Sequence, residues 1–83
     1  MRGVVYAINS QYGIVAVLTD CDFSIFELLG ENQVGLGDEV RWSEATPLGS
    51  ALLTNSTRKT DFEVYFQNHW VSRDRLKKLF PID

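Results

Sequence analysis

The chain has 83 residues and a formal net charge of −3, and is 45 % hydrophobic, 23 % charged and 12 % aromatic. This is the composition of one small folded domain, not of a disordered segment, and at this length only about 60–65 % of the unfolded surface can be buried. The acidity excludes a binder whose affinity comes chiefly from neutralising phosphates, and the single cysteine, Cys21, excludes an internal disulfide.

No apolar run approaches the roughly 20 residues a spanning helix needs, so no membrane association is expected. The start Met1-Arg2-Gly3-Val4 lacks the apolar core of a signal peptide, and a cytoplasmic location is expected. Charge is unevenly placed. Residues 1–57 carry Arg2 and Arg41 against seven acids, a net −5, whereas residues 58–83 carry six basic residues against Asp61, Glu63, Asp74 and Asp83, a net +2. Any basic surface must draw on the C-terminal third.

Gly3–Val17 reads as strand–turn–strand: two runs rich in Val and Ile, about Gly3–Ile8 and Gly13–Leu18, separated by Asn9-Ser10-Gln11-Tyr12-Gly13. Thr19-Asp20-Cys21-Asp22 is a polar break in which the Asp side chains are expected to bond nearby backbone N–H groups. Phe23–Leu28 is a third strand, and Leu29–Gly37 a loop or single helical turn. Gly37-Asp38 leads into a fourth strand, Glu39–Glu44, with Val40 and Trp42 on one face and Glu39, Arg41 and Ser43 on the other. Thr46-Pro47-Leu48-Gly49 has the residues of a type I turn. A fifth strand follows at about Ser50–Ser56. After a break at Arg58–Asp61, Phe62–Gln67 alternates again, with Phe62, Val64 and Phe66 facing one way.

The chain ends on a short helix. Ser72 is the N-cap, Asp74 complements the helix dipole in the first turn, and Val71 staples onto Leu76. Leu76, Leu79 and Phe80 form the apolar stripe, and Pro81 ends the helix. A helix of about nine residues does not persist alone and must dock on the sheet. Together these elements predict a mainly β fold, a small antiparallel OB-like barrel of five to six strands with a C-terminal α-helix. Residues 1–57 form the barrel, and 58–83 supply an additional strand and the helix of the same single domain.

Catalytic and metal constellations are sparse. His69 is the only histidine and is remote from Cys21 in sequence. Asp20 and Asp22 flank Cys21 without the further ligands a metal site needs, and no glycine loop has the strand-then-helix setting that cradles phosphate. The expectation is a non-enzymatic domain with no cofactor. Gln67-Asn68-His69-Trp70 is the most unusual segment. It reads either as a hydrogen-bonding and stacking site with Arg58, Lys59, Arg73 and Arg75, or as a corner whose Trp70 plugs one end of the barrel.

Gly3-Val4-Val5-Tyr6-Ala7-Ile8-Asn9 followed by Tyr12-Gly13-Ile14-Val15-Ala16-Val17 resembles the opening of a cold-shock domain, whose pattern is G-x-V-K-W-F-N, then K-G-[FY]-G-F-I. Ser24-Ile25-Phe26 and Gly37-Asp38-Glu39-Val40-Arg41-Trp42 resemble that family's third and fourth strands, so the likeness covers about residues 1–57. The resemblance implies an OB-fold barrel and binding of single-stranded nucleic acid on stacked aromatics. The family's stacking positions fall here on Ala7, Ile14 and Ala16, its lysines on Tyr6 and Tyr12, and Phe26 keeps its aromatic. The expected activity is weak single-stranded RNA or DNA binding, with Tyr6, Tyr12, Phe26, Arg58, Lys59 and Trp70 as the nucleic-acid-binding residues. The alternative is a protein–protein interaction or assembly module, suggested by the acidic barrel, the replaced aromatics and the added strand and helix.

Overall fold

A computed structural model describes residues 1–30, 33–43 and 47–80. Its strands are β1 (Arg2–Asn9), β2 (Ile14–Thr19), β3 (Asp22–Leu28), β4 (Glu39–Arg41), β5 (Gly49–Asn55) and β6 (Thr60–Val71), followed by helix α1 (Arg73–Leu79). They form a closed antiparallel barrel in the order β1-β2-β3-β6-β5-β4. Two three-stranded meanders, β1–β2–β3 and β4–β5–β6, meet along two seams, β1 with β4 and β3 with β6. No described helix is long and apolar enough to cross a membrane.

The period-2 pattern fills the interior. Val15, Val17, Phe26, Val40, Leu53, Val64 and Phe66 are all at most 1 % exposed and share one cluster with Trp42. Phe66 meets Phe26 edge-on at 5.4 Å and Trp42 at 5.1 Å, so three aromatics fill the middle of the barrel. Gly3 is where the β1–β2 wall is tightest: a Cβ there would lie 2.4 Å from Val17 Cγ1 and 2.6 Å from the Leu18 carbonyl oxygen.

Bulges adjust the pleat at two places. Tyr6 is an extra residue in β1, between the pairs Val5↔Val17 and Ala7↔Ala16. In β6, register shifts separate the pairs Phe23↔Val71, Ile25↔Asn68 and Phe26↔Phe66. Trp70 takes φ +52° within that irregular stretch, a left-handed conformation that is costly for a bulky side chain. Each bulge bends its strand around the barrel.

The register also defines the two ends of the barrel. One end carries the β1–β2 turn, the β5–β6 turn and the loop before β4. The other carries the β2–β3 turn, the start of β5 and the end of β6.

A second apolar cluster lies outside the barrel. Leu76 and Phe80 from α1 pack with Val71 on Ala16, Phe23 and Ile25, with Ala7 and Ile14 at the margin. Ser72 caps the helix, its Oγ accepting from the Arg75 N–H at 3.3 Å. Leu79 stays 43 % exposed, so the docking stripe is Leu76 and Phe80 alone. Pro81 lies outside the described residues.

The strand reading needs four corrections. β4 ends at Arg41, and Glu44 and Thr46, the latter opening the expected type I turn, lie outside the described residues. β6 runs through Asn68-His69-Trp70 to Val71 instead of breaking at Gln67, because its bulges absorb the polar residues into the ladder. In the β2–β3 turn the hydroxyl of Thr19 makes the bonds expected of the Asp side chains, accepting from Cys21 N–H and donating to the Asp22 carbonyl. Trp70 does not plug the barrel. It is 63 % exposed, and His69 points inward in its place.

Candidate functional site

The six residues expected to bind nucleic acid do not come together. Phe26 is completely buried in the barrel, because Val15 opposite it and Phe66 across the seam share its inward face. It is core, not a stacking platform. Tyr6 is half exposed, but one side of its ring meets Phe23 at 4.9 Å and the Arg73 guanidinium sits 5.5 Å from its centroid. Arg73 Nη1 also donates to the Tyr6 hydroxyl at 2.9 Å. Arg58 is held by Asp38, with Nε donating to Oδ2 at 2.9 Å. That leaves Tyr12 and Lys59 on separate turns at one end of the barrel and Trp70 at the other. Tyr12 is 63 % exposed, and Lys59, also exposed, adopts φ +58°.

The positions corresponding to the stacking aromatics of the cold-shock pattern carry α1. Ala7, Ile14 and Ala16 line or floor the second apolar cluster beneath Leu76 and Phe80. Small and aliphatic residues on β1 and β2 are what let a two-turn helix lie close to the sheet. A tryptophan or phenylalanine at those positions would occupy the space the helix takes.

Polar groups close both ends of the barrel. At the end bearing the β5–β6 turn, Asp38 Oδ2 accepts from Gly35 N–H and Asn55 Nδ2, each at 2.9 Å, and from Arg58 Nε. Asn55 also donates to the Gln33 carbonyl and accepts from Arg58 N–H. Burial works to raise the Asp38 pKa. The hydrogen bonds from Asn55 and Gly35 and the charge and hydrogen bond of Arg58 outweigh it, holding the carboxyl below its ordinary range.

At the opposite end, His69 Nδ1 lies 2.8 Å from Ser24 Oγ, and Nε2 contacts the Pro47 carbonyl oxygen. A carbonyl only accepts, so Nε2 donates to Pro47, and Ser24 Oγ is the hydrogen-bond partner of Nδ1. The ring stacks on Phe66 at 5.1 Å and 22°. Ser24 and His69 are 4 % and 8 % exposed. Both ring nitrogens are thus spent on internal bonds that tie three distant segments together. Sequence reading missed this Ser–His pair because the β6 bulges, not simple alternation, turn His69 inward.

Two apolar groups remain outside. Val4 and Leu18 are cross-strand partners on β1 and β2, 45 % and 40 % exposed. Leu48, Leu52 and Tyr65 are 72 %, 62 % and 47 % exposed on and beside the β5–β6 wall. Leu48 and Leu52 border a cleft of about 260 Å³ whose other walls include Trp42, Ser43, Pro47, Ser50 and Ala51. β5 is three strands from β2 in either direction around the barrel, so this wall lies opposite α1. Cys21 is a free, exposed thiol. Among the described residues no three His, Cys, Asp or Glu side chains gather where they could hold a metal.

Comparison with protein-family models, with curated proteins and with solved structures finds no match to this chain. The cold-shock resemblance therefore rests on the quoted residues alone.

Proposed function

We propose that the domain is a non-catalytic protein-interaction module whose contact surface is the β5–β6 wall. The observation that carries this reading is the exposure of Leu48, Leu52 and Tyr65 together beside an open cleft over Trp42. Ser50 pairs with Tyr65 and Leu52 with Glu63, which makes Tyr65 and Leu52 diagonal neighbours on the outer face, within reach of each other. Fully burying a leucine gains about 1.5–3 kcal/mol, so two leucines and a tyrosine supply the apolar centre of a contact, and polar Ser50 and Glu63 its rim.

Nucleic-acid binding has less to draw on. Of the expected residues, Phe26 is internal, Tyr6 packs against Phe23 and Arg73, and Arg58 is engaged by Asp38. The four basic residues of α1 sit over the opposite side of the barrel from the cleft.

The test places a photo-crosslinking amino acid singly at Leu48, Tyr12 and Trp70 in the cell of origin. Protein adducts from Leu48, absent from the other two sites, are expected. Nuclease-sensitive adducts from Tyr12 or Trp70, with none to protein from Leu48, would overturn the reading. In parallel, labelled 15-nucleotide RNA and DNA at low salt should show no anisotropy change at tens of micromolar, a threshold of about −6 kcal/mol.

A further inference from the structure

We infer that this chain assembles head to tail with further copies of itself, the β5–β6 wall of one copy seating on the outer side of α1 of the next. This rests on the interaction reading above and names its partner. The wall has an apolar centre set among carboxylates. On its outer face Leu52 pairs with Glu63, Ser50 with Tyr65 and Thr54 with Asp61, and Tyr65 pairs on its other side with Glu27 of β3. Leu52 and Tyr65 are 62 % and 47 % exposed, and Asp61 and Glu63 are exposed beside them. Two of the carboxylates are held in place on the wall. Asp61 Oδ1 accepts from the Thr54 hydroxyl at 2.8 Å, and Glu27 Oε1 from Gln67 Nε2 at 3.4 Å. Lys59 and the Asp38-bound Arg58 precede Asp61 in the β5–β6 turn.

The helix displays the complement. In α1, Arg73, Arg75, Lys77 and Lys78 stand against Asp74, a net +3, and all five are exposed. Arg73 turns back to the Tyr6 hydroxyl, whereas Arg75, Lys77 and Lys78 face outward. Leu76 and Phe80 point into the sheet, and Lys78, two residues from each, projects from the opposite side of the helix. Leu79, 43 % exposed, lies one turn on from Arg75, so this surface also joins an apolar group to its charges.

Charge and placement specify how copies meet. The two surfaces lie on far sides of the barrel, so they cannot meet within one chain. Wall against wall would set Glu27, Asp61 and Glu63 against like charges, and helix against helix would do the same with Arg75, Lys77 and Lys78. Like-charge contacts are penalised across an interface, and opposite ones steer the partners together. Wall against helix brings opposite charges together around Leu52, Tyr65 and Leu79. A two-fold pair uses one self-complementary patch on both copies, which surfaces on far sides of the barrel cannot supply. The contact is therefore heterologous and passes from copy to copy.

The test is sedimentation of the full chain over a concentration series reaching hundreds of micromolar. It is run at about 0.01 M and about 0.15 M salt, where the Debye length is about 30 Å and about 8 Å. The mean mass should rise with concentration without a plateau at two copies, and association should weaken severalfold at the higher salt. Glu63→Lys and Lys78→Glu, both at exposed positions, should each weaken association at least tenfold with unchanged circular dichroism. Their equimolar mixture should associate again, because the unaltered helix of the first variant meets the unaltered wall of the second. Tyr65→Thr keeps every charge and should weaken association severalfold, which separates a seated contact from general attraction between charges. A monomer at every concentration, a dimer that does not grow, variants that associate like the native chain, or a mixture no stronger than its components would overturn the inference. Adducts from Leu48 to other proteins, with a chain that stays monomeric, would remove self-assembly and keep the interaction reading. Nuclease-sensitive adducts from Tyr12 or Trp70, with none to protein from Leu48 and a monomeric chain, would remove both.

Discussion

Replacing His69 by phenylalanine isolates the clamp that joins β3, β6 and the approach to β5. Phenylalanine keeps the ring that stacks on Phe66 at 5.1 Å and removes both nitrogens. The buried Ser24 hydroxyl, 4 % exposed, and the Pro47 carbonyl then lose their partner. Each orphaned buried group costs about 1–3 kcal/mol, so with two of them His69→Phe should destabilise the domain by about 2–6 kcal/mol. That is a large fraction of the roughly 5–15 kcal/mol typical of a domain. Adding Ser24→Ala to His69→Phe removes one of the two orphans, so the double variant should be more stable than His69→Phe by about 1–2 kcal/mol, even though Ser24→Ala alone destabilises the native protein. Urea unfolding followed by tryptophan fluorescence and far-UV circular dichroism gives the four free energies of the cycle. Strict additivity, or a His69→Phe loss below about 0.5 kcal/mol, near the usual limit of additivity error, would refute the internal bonding described for this histidine.

Asp38 sets an acid limit on stability. Its carboxyl titrates below its ordinary value in the folded state, so its contribution is full above the unfolded pKa and is lost as pH falls through the lower folded one. Urea midpoints of the native chain should fall with acidification through that window. Asp38→Asn should start less stable at neutral pH and show a shallower fall, and parallel profiles would refute the assignment. Gly3→Ala should cost about 1–3 kcal/mol by overpacking, because the new methyl meets the Leu18 carbonyl as well as Val17; an unchanged melting temperature would contradict that packing. Leu76→Ala should cost about 2–4 kcal/mol or simply release α1, exposing the surface around Ala16 and Ile25. Dye binding and faster exchange confined to residues 73–80 distinguish release from global unfolding, and neither change would disprove docking through Leu76.

Strand alternation and turn residues made most of the barrel legible. Val40 and Trp42 share the inner face, as do Phe62, Val64 and Phe66, and Ser72 caps α1 where its side chain and the following Asp74 indicate. What stayed hidden depends on bulges and on contacts distant in sequence. Asn68-His69-Trp70 looked like a corner because it breaks alternation, yet irregular pairing with β3 keeps those residues in β6 and exchanges the expected positions of His69 and Trp70. The expected site dispersed for the same reason. Tyr6 is a bulge residue whose surroundings include Arg73, 67 residues away, and Arg58 is fixed by Asp38, 20 positions before it. No local pattern reports either contact.

The fold links the face covered by α1 and the polar closure at one end of the barrel through β6. β1 and β2 carry Ala7, Ile14 and Ala16 where larger rings would bar α1, and the helix uses that space. β6 reaches α1 by running past Phe66 through His69 to Val71, and the same extension delivers His69 to Pro47. A sixth strand ending at Gln67 would provide neither the helix attachment nor the contact of His69 with the Pro47 carbonyl.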